Sequence, residues 1–327
     1  MVDLPSIQGP KQLSDFRSGM IPKLFDNAGE RCRNRFVEFF VATIRNPNTR
    51  MSYSRAVWRF ANWCETKKLD LAQVTPIVIG VYVEQLMKEI APPSVKQHLA
   101  AIRMLLDYLV AGHVLEFNPS DSVRGPKHVV KKGKTPVLDR KTARWLIDCI
   151  ETNSISGLRD RALIGLMVYS FARIGAALAM NVGDFYLDPS GRRYWFRLKE
   201  KGGKHHEVPT HHTADLYMSA YVVAAGIGTD KATPLFRTID SHRELTDRRL
   251  DRREALAMIK RRARQANVSS SICCHTFRAT GITAYLNGGG TLEQAQRIAA
   301  HESPTTTKLY DRTNDDITLD EIERIVL

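Results

Sequence analysis

The amino-acid sequence predicts a mainly α-helical protein with a small β-hairpin or sheet, divided into a helical domain and a mixed α+β domain. Apolar residues recur at helical spacing over residues 29–117 and again over most of residues 137–327. Residues 192–209 differ, because strand-forming residues flank a Gly-Gly turn there. A segment rich in proline, glycine and lysine separates the two helical regions and predicts a linker. The expected organisation is an arm at 1–28, a helical domain at 29–123, a linker at 124–136 and a second domain at 137–327.

The helical domain is predicted to be a bundle of four helices. Phe36, Phe39 and Ile44 lie on one face of the first helix, which the sequence Asn46-Pro47-Asn48 ends. Start signals for the later helices are a cap at Thr49 or Ser52, a proline directly after Thr75, and the capping box Ser94-x-x-Gln97. Each amphipathic helix would bury one apolar stripe against the others.

The second domain is predicted to be helical around one β-hairpin. Residues 194–198 favour a strand, residues 201–204 a tight turn, and residues 206–208 the return strand. Helices are predicted at 139–152, 157–171, 174–180, 213–225, 251–266, 276–286, 291–300, 304–312 and 318–326. The last helix has an apolar face and little chain left to cover it, so we expect it to dock on another protein surface.

The charge of the chain points to a polyanionic partner. Lys and Arg number 48 against 35 Asp and Glu, a net charge of +13, which favours nucleic acid above all. The densest positive stretch is residues 124–134, which carry basic residues and no acidic one. A solvated loop is the alternative interpretation, but the position of this stretch between two basic domains favours contact with the DNA backbone. Its basic residues are Arg124, Lys127, Lys131, Lys132 and Lys134.

Secreted, membrane-spanning and metal-binding proteins are excluded or disfavoured. The N-terminus has no basic segment followed by an apolar one, and the apolar runs are far shorter than the roughly 18–20 residues that span a bilayer. Five cysteines without CxxC spacing indicate reduced thiols and a cytoplasmic protein, associated with the nucleoid if DNA is the partner. Zinc at Cys273-Cys274-His275, or at the pairs His205-His206 and His211-His212, is disfavoured because adjacent side chains rarely converge on one ion.

Residues that suit phosphoryl transfer recur near the C-terminus. His275 and Arg278 share a face of one predicted helix, and Tyr310 lies nine residues beyond His301. A tyrosine with a pKa of about 10 is a poor nucleophile at neutral pH. A base that accepts its proton, and cations that stabilise the charge on a phosphate, would make it usable. The set therefore predicts transfer of a phosphoryl group from DNA to Tyr310.

These residues resemble the signature of the tyrosine recombinases of the phage integrase family. The matching elements are His275-Thr-Phe-Arg278, His301 with Tyr310, Ser170-Phe-Ala-Arg173 after an apolar helix, and the hairpin Lys201-Gly-Gly-Lys-His-His-Glu-Val-Pro-Thr210. The stretches SYSRAVWRFANWC and PPSVKQHLAAIRMLLDYL are similar to the family's core-binding (SAM-like) domain. The resemblance covers about residues 30–327 and implies a mixed α+β catalytic domain and site-specific DNA recombination.

The resemblance implies a role for each matching residue. Arg173 and Arg278 would hold the non-bridging oxygens of the scissile phosphate, and His301 would hydrogen-bond the same phosphate. His275 would accept the tyrosine proton or contact the phosphate. Tyr310 would attack and become joined to the 3′-phosphate of the cut strand.

On the hairpin, Lys201 would protonate the 5′-hydroxyl as it leaves; Lys204 flanks the same glycines, but Lys201 matches the family's position better. No metal or nucleotide cofactor is implied, because the energy of the broken bond is conserved in the phosphotyrosine. Two departures stand out. The family often has an acidic residue three positions after the first arginine, where this chain has Ala176, and its usual Leu-Gly before the second histidine is Ala299-Ala300 here.

The partner implied by the resemblance is double-stranded DNA, held in a two-domain clamp. Lys96 and Arg103 would face the duplex from the helical domain, and Lys204 and the basic linker would add contacts. The tail after residue 316 would dock on a neighbouring protomer in a synaptic tetramer, with accessory or partner recombinases as further candidates. Two other functions stay open: a type IB topoisomerase-like relaxase, and a DNA-binding accessory protein without catalysis. A protein of the membrane surface is a third.

Overall fold

A computed structural model describes residues 21–128, 133–200 and 203–311. The chain divides into two units, residues 1–129 and 130–327. Helices predominate in both, and the strands of the described residues are short and lie in the second unit, so the predicted mainly α-helical fold with a small sheet is confirmed. No helix of the described ranges is long and apolar enough to cross a bilayer.

The first unit is entirely helical in its described part. Its helices are α1 (Lys23–Asp26), α2 (Glu30–Glu38), which continues as a π-helical turn (Phe39–Thr43), α3 (Pro47–Thr66), a 3₁₀ turn (Leu71–Gln73), α4 (Pro76–Glu89) and α5 (Pro92–Ala111). One face of each long helix is apolar, and together these faces form a single buried core. The predicted bundle is thus present, with one short helix more than the sequence indicated.

That additional helix lies inside the predicted N-terminal arm. Leu24 and Phe25 are buried, and the ring of Phe25 lies 5.0 Å from that of Phe36 on α2. Residues 21–28 therefore belong to the helical unit and not to an arm, because the adjacent apolar side chains of Leu24 and Phe25 anchor this single helical turn to the core. Residues 1–20 of the predicted arm lie outside the described residues.

Two helix starts differ from the prediction. The cap of α3 is Asn46, whose side chain accepts from the backbone N–H groups of Asn48 and Thr49, so neither Thr49 nor Ser52 caps this helix. Helix α5 begins at Pro92, before the predicted box at Ser94, because proline is well tolerated in a first helical turn. In both cases the helix begins at a proline, a residue that in a sequence usually indicates the end of a helix.

The second unit surrounds a small antiparallel sheet with helices. In chain order these elements are α6 (Arg140–Asp148), α7 (Ile155–Tyr169), α8 (Ile174–Ala179), a 3₁₀ turn (Val182–Asp184), β1 (Phe185–Leu187), β2 (Tyr194–Lys199), β3 (His205–Pro209), α9 (His212–Ala225), β4 (Arg237–Ile239), β5 (Leu245–Arg249), α10 (Arg252–Gln265), α11 (Cys274–Asn287), α12 (Leu292–Ile298) and α13 (Pro304–Lys308). The predicted helix at 318–326 lies outside the described residues.

The predicted hairpin is formed by β2 and β3. Leu198 lies opposite His206, and beyond the paired strands the N–H of Glu200 donates to the carbonyl of Lys204 at 2.8 Å. Gly203 closes this turn with a φ of +79°, a conformation that glycine adopts without steric cost. The sequence did not indicate β1, which adds a third strand beside β2, nor the separate pair of β4 and β5. These strands are short or polar and lack a clear alternation.

Candidate active site

Helix α11 brings His275 and Arg278 close to the end of α7. It can approach so closely because residue 281 is glycine: a Cβ built there would lie 2.0 Å from the carbonyl oxygen of Val168 and 3.0 Å from the Phe171 ring. The close crossing lets the guanidinium of Arg278 reach the loop that carries Arg173. The packing of two helices thus sets the distance between the two arginine-bearing segments.

The guanidinium of Arg278 is buried and fixed by backbone carbonyls. The side chain is 1% exposed; Nη1 donates to the carbonyl of Phe171 and Nη2 to that of Ala299 at 2.6 Å. Among the described residues, Nε has no hydrogen-bond partner. Burial, and then the charge of Arg173, lower the pKa of Arg278 to about 10. A buried cation with an N–H still free of protein partners is suited to an anion.

The phenol oxygen of Tyr310 contacts His275. The phenol oxygen lies 2.6 Å from Nε2 of His275, and Tyr310 is only 7% exposed. Burial raises the pKa of Tyr310, while the charges of Arg278 and Arg173 oppose that rise. Burial, and then the same two arginines, lower the pKa of His275. His275 is therefore neutral at neutral pH and can accept the phenol proton.

His301 also lies against the tyrosine ring. The two rings are stacked, with centroids 5.7 Å apart and planes 8° from parallel. Nδ1 of His301 lies 2.8 Å from the hydroxyl of Thr307, a fully buried residue of α13, so this contact fixes the ring and leaves Nε2 for another partner. Burial first, then the nearby positive charges, lower the pKa of His301 to about 3, so the ring is neutral.

Arg173 lies at the edge of a cleft that His301 also lines. It is the cap residue of α8, and its Nη1 forms an ion pair with the carboxylate of Glu200, whose side chain is 3% exposed. The cleft has a volume of about 210 Å³, and its other polar lining residues are Lys204, Glu302, Ser303 and Thr306. One wall therefore combines cationic, imidazole and carboxylate groups in a space that can receive a phosphodiester.

Tyr310 packs in a small apolar cluster. The cluster is formed by Phe171, Ala279, Ile282, Leu286, Ala295, Ala299 and Tyr310. The carbonyl of Tyr310 accepts a hydrogen bond of 2.9 Å from the buried hydroxyl of Thr283. Packing and hydrogen bonding together fix the tyrosine without using its phenol oxygen.

Two sequence models of known domains match the chain. The model described as "Phage integrase family" matches residues 136–316, more than half of the chain, and the model described as "Phage integrase, N-terminal SAM-like domain" matches residues 34–113. The chain belongs to the phage integrase family. Arg173, His275, Arg278, His301 and Tyr310 all lie inside the first of these matches. The resemblance of the sequence to this family is confirmed.

Individual relatives agree with this membership. The integrase-family chain is 28% identical, over 281 residues, to tyrosine recombinase XerC of Pelobacter propionicus, with 84% of this chain and 89% of the relative covered. Its fold is similar to that of XerH site-specific recombinase bound to a palindromic difH substrate (TM-score 0.68, 15% identity, 86% and 80% covered). It is also similar in fold to a lambda integrase tetramer bound to a Holliday junction (TM-score 0.65, 14% identity, 87% and 78% covered).

The other predicted site residues fall into three groups. Lys131, Lys132 and Lys201 lie outside the described residues, and Arg124 and Lys134 are exposed. In the first unit, Lys96, Arg103 and Lys127 line a common cleft of about 370 Å³. Arg103 also donates to the carbonyls of Ser120 and Val123, so it fixes the segment after α5. Its contact with DNA, like the other DNA contacts, stays a prediction.

Sequence reasoning missed two residues of this site. Glu200 pairs with Arg173 although 27 residues separate them, and the adjacent Lys201 was the only signal that could have drawn attention to it. Thr307 contacts His301 from the helix before Tyr310.

One histidine of each pair considered for zinc is engaged elsewhere. His206 contacts the carbonyl of Ile298 at 2.9 Å, and His211 stacks on Tyr169. Within the described ranges, no three His, Cys, Asp or Glu side chains converge as a metal site would require.

Proposed function

We propose that this integrase-family protein is a site-specific DNA recombinase that cuts and rejoins strands through a 3′-phosphotyrosine at Tyr310. The observation that carries the proposal is the 2.6 Å contact between Tyr310 and neutral His275, beside two arginines. A nucleophile, a base and two permanent cations thus lie within one site. Acting on DNA, the protein is expected in the cytoplasm, with the nucleoid.

The cleavage step is a transfer of one phosphoryl group. The phenol oxygen of Tyr310 attacks the scissile phosphorus and forms the new P–O bond, while the bond from phosphorus to the 5′-oxygen breaks. The phenol proton passes to Nε2 of His275, and the leaving 5′-oxygen takes a proton from Lys201. A 5′-hydroxyl from the partner strand then reverses the step and releases Tyr310 with a recombinant strand.

The arginines stabilise the charge that develops on the phosphate. Arg278 is almost fully buried, so its field is weakly screened by water, and Arg173 borders the cleft. Hydrogen bonds between a guanidinium and a phosphate are short and directional, and removal of one such donor costs about 100-fold to 1,000-fold in rate in comparable sites. His301 would add a third donor from Nε2.

Binding to DNA is proposed to use both units. Lys96, Arg103 and Lys127 share one cleft of the first unit, and Lys204 borders the cleft of the second. Because such contacts displace counterions from the phosphate backbone, the affinity for DNA should fall steeply as salt rises.

Assembly is proposed to be a synaptic tetramer joined through the tail at residues 316–327. A similar fold occurs in a tetramer of lambda integrase on a Holliday junction, which supports this stoichiometry. Deletion of the tail should impair the tetramer on DNA more than the binding of one protomer to one site. Tetramers that are unchanged after the deletion would contradict the role of the tail.

Covalent trapping tests the proposed function. The purified chain is incubated with fragments of the DNA that flanks its own gene, the reaction is stopped with detergent, and DNA joined to protein is recovered and sequenced. The recovered duplex is called the trapped site. Wild-type protein should trap DNA and Tyr310→Phe should not.

The matched control is Tyr285→Phe, because Tyr285 packs against the Phe171 ring in the same unit. It should trap DNA as the wild type does. Equal trapping by Tyr310→Phe and wild type would exclude Tyr310 as the nucleophile. DNA binding without any trapping would favour an accessory protein. Relaxation of supercoiled DNA without strand exchange would favour a topoisomerase-like activity.

A further inference from the structure

The carboxylate of Glu200 is buried inside a site that otherwise suits an anion. Its side chain is 3% exposed and forms an ion pair with Arg173, whose side chain is 31% exposed. Within the described part of the chain, no other carboxylate lies within ion-pair distance of Arg173. A buried carboxylate is costly unless it is paired, so Glu200 and Arg173 depend on each other for their positions.

Glu200 is placed by the backbone of the hairpin turn. Its N–H donates to the carbonyl of Lys204 at 2.8 Å, and its own carbonyl accepts from Gly203 at 3.1 Å. The residue follows directly on strand β2, whose last residue, Lys199, is paired with His205. The carboxylate therefore projects from a closed turn, which gives it a fixed origin.

Arg173 is fixed at its backbone in the same way. Its carbonyl accepts from the N–H groups of Ala176 and Ala177 in the first turn of α8. The contact with Glu200 uses Nη1 alone, and a guanidinium has five N–H donors. The others are left for an acceptor in the cleft that Arg173 lines.

The position where the family often has an acidic residue cannot provide this contact. Ala176 is 4% exposed and has only a methyl group, and the side chains around it form part of the apolar core. A long cationic side chain at the edge of a cleft has many rotamers, and each unproductive one lowers the rate. Some other group must therefore select one rotamer of Arg173.

We propose that Glu200 is a positioning residue that orients Arg173 toward the scissile phosphate, acting from the hairpin turn in place of an acidic residue on α8. The inference rests on the proposed recombinase function. Glu200 touches no reacting atom; it acts through Arg173.

The test compares Glu200→Gln with wild-type protein on a nicked duplex of the trapped site, from which the cut strand diffuses away. At saturating protein, the rate of covalent complex formation should fall between about 10-fold and 100-fold, because a misplaced catalytic group has an effect of this size. The Kd for the same duplex should change less than threefold. Glu200→Asp, which keeps the charge, should lose less than Glu200→Gln.

The matched control is Glu207→Gln. Glu207 lies in the same sheet and pairs with Arg197 at 2.7 Å, but both side chains are more than 40% exposed. This variant removes a Glu–Arg pair without changing the cleft, so its rate should equal that of the wild type.

A neutral scissile linkage separates positioning from a structural effect. On a duplex with a methylphosphonate at the cut position, one charged non-bridging oxygen is missing. The contact between Arg173 and the scissile phosphate, which Glu200 is proposed to secure, then contributes little to the rate. The penalty of Glu200→Gln should then shrink to less than threefold. A purely structural role would give the same penalty on both duplexes and would overturn the proposal.

Three further outcomes are decisive. If wild-type protein forms the covalent complex and Glu200→Gln forms it at the same rate, Glu200 does not position Arg173. A faster variant would mean that the carboxylate competes with the phosphate, which also overturns the proposal. If the wild type itself forms no complex, the proposed function fails, and this result is distinct from the other two.

Discussion

Substitution of Gly281 by alanine should move the segment that carries Arg278 away from the segment that carries Arg173. The added Cβ would lie 2.0 Å from the carbonyl oxygen of Val168, whereas an ordinary contact of carbon with a carbonyl oxygen is about 3.3 Å or longer. Helices α11 and α7 must therefore separate by roughly 1.3 Å at the crossing. The clashing atom belongs to the backbone of α7, so no side-chain rotation can relieve it.

The expected cost has two parts. Overpacking of this kind costs about 1–3 kcal/mol, which exceeds the gain of at most about 1 kcal/mol from replacing a helical glycine by alanine. The same movement shifts Arg278, which is fixed by the carbonyl of Phe171. A displacement of about 1 Å at a catalytic group can lower a rate about 100-fold.

Thermal unfolding and covalent complex formation on the trapped site measure these two parts. Gly281→Ala should lower the Tm of the second unit by about 2–4 °C for each kcal/mol lost, and should lower the cleavage rate about 100-fold. Gly80→Ala is the matched control, because Gly80 also lies within a helix and a Cβ there meets nothing within 4 Å. It should raise stability by up to about 1 kcal/mol. An unchanged Tm and rate for Gly281→Ala would refute this account of the helix crossing.

Three other predictions concern residues around the tyrosine. Ala300 has a φ of +48°, a strained conformation for alanine, so Ala300→Gly should raise the free energy of unfolding by about 1 kcal/mol in urea titrations; a loss of stability would contradict the assigned conformation. The pKa of His301 is about 3 in the folded state against about 6.5 unfolded, so the unfolded state binds one more proton between these pH values. Stability should therefore fall by up to about 1.4 kcal/mol per pH unit as pH drops from about 6.5, and His301→Gln should have a shallower slope; equal slopes would contradict the buried neutral ring. Thr307→Val should leave Nδ1 of His301 without its partner and cost about 1–3 kcal/mol, while Thr307→Ser should be close to wild type; equal losses in the two variants would exclude the hydrogen bond.

The sequence was sufficient to predict the residues whose spacing is local. His275 and Arg278 share one helix, and Tyr310 follows His301 by a fixed number of residues, so helical periodicity and turn signals place them without knowledge of the tertiary structure. The confirmed helical fold follows from the same kind of information, because one apolar face per helix is visible in the sequence.

Contacts between distant segments could not be predicted in this way. The ion pair of Glu200 with Arg173 joins the hairpin to α8, and no local pattern relates the two residues. The carbonyl of Phe171 that holds Arg278 is a backbone atom, which any residue would supply. Short strands were missed for a related reason, since three residues such as those of β1 do not establish an alternation and form only beside a partner strand.

The central claim is that Tyr310 forms the covalent bond to DNA, and mass spectrometry of the trapped complex tests it most directly. After nuclease treatment, trypsin should release residues 309–312, Leu-Tyr-Asp-Arg, from between Lys308 and Thr313 as a short peptide. The account predicts that this peptide carries the mass of a 3′-phosphorylated nucleotide on Tyr310. A nucleotide attached to any other peptide, with Leu-Tyr-Asp-Arg unmodified, would contradict it.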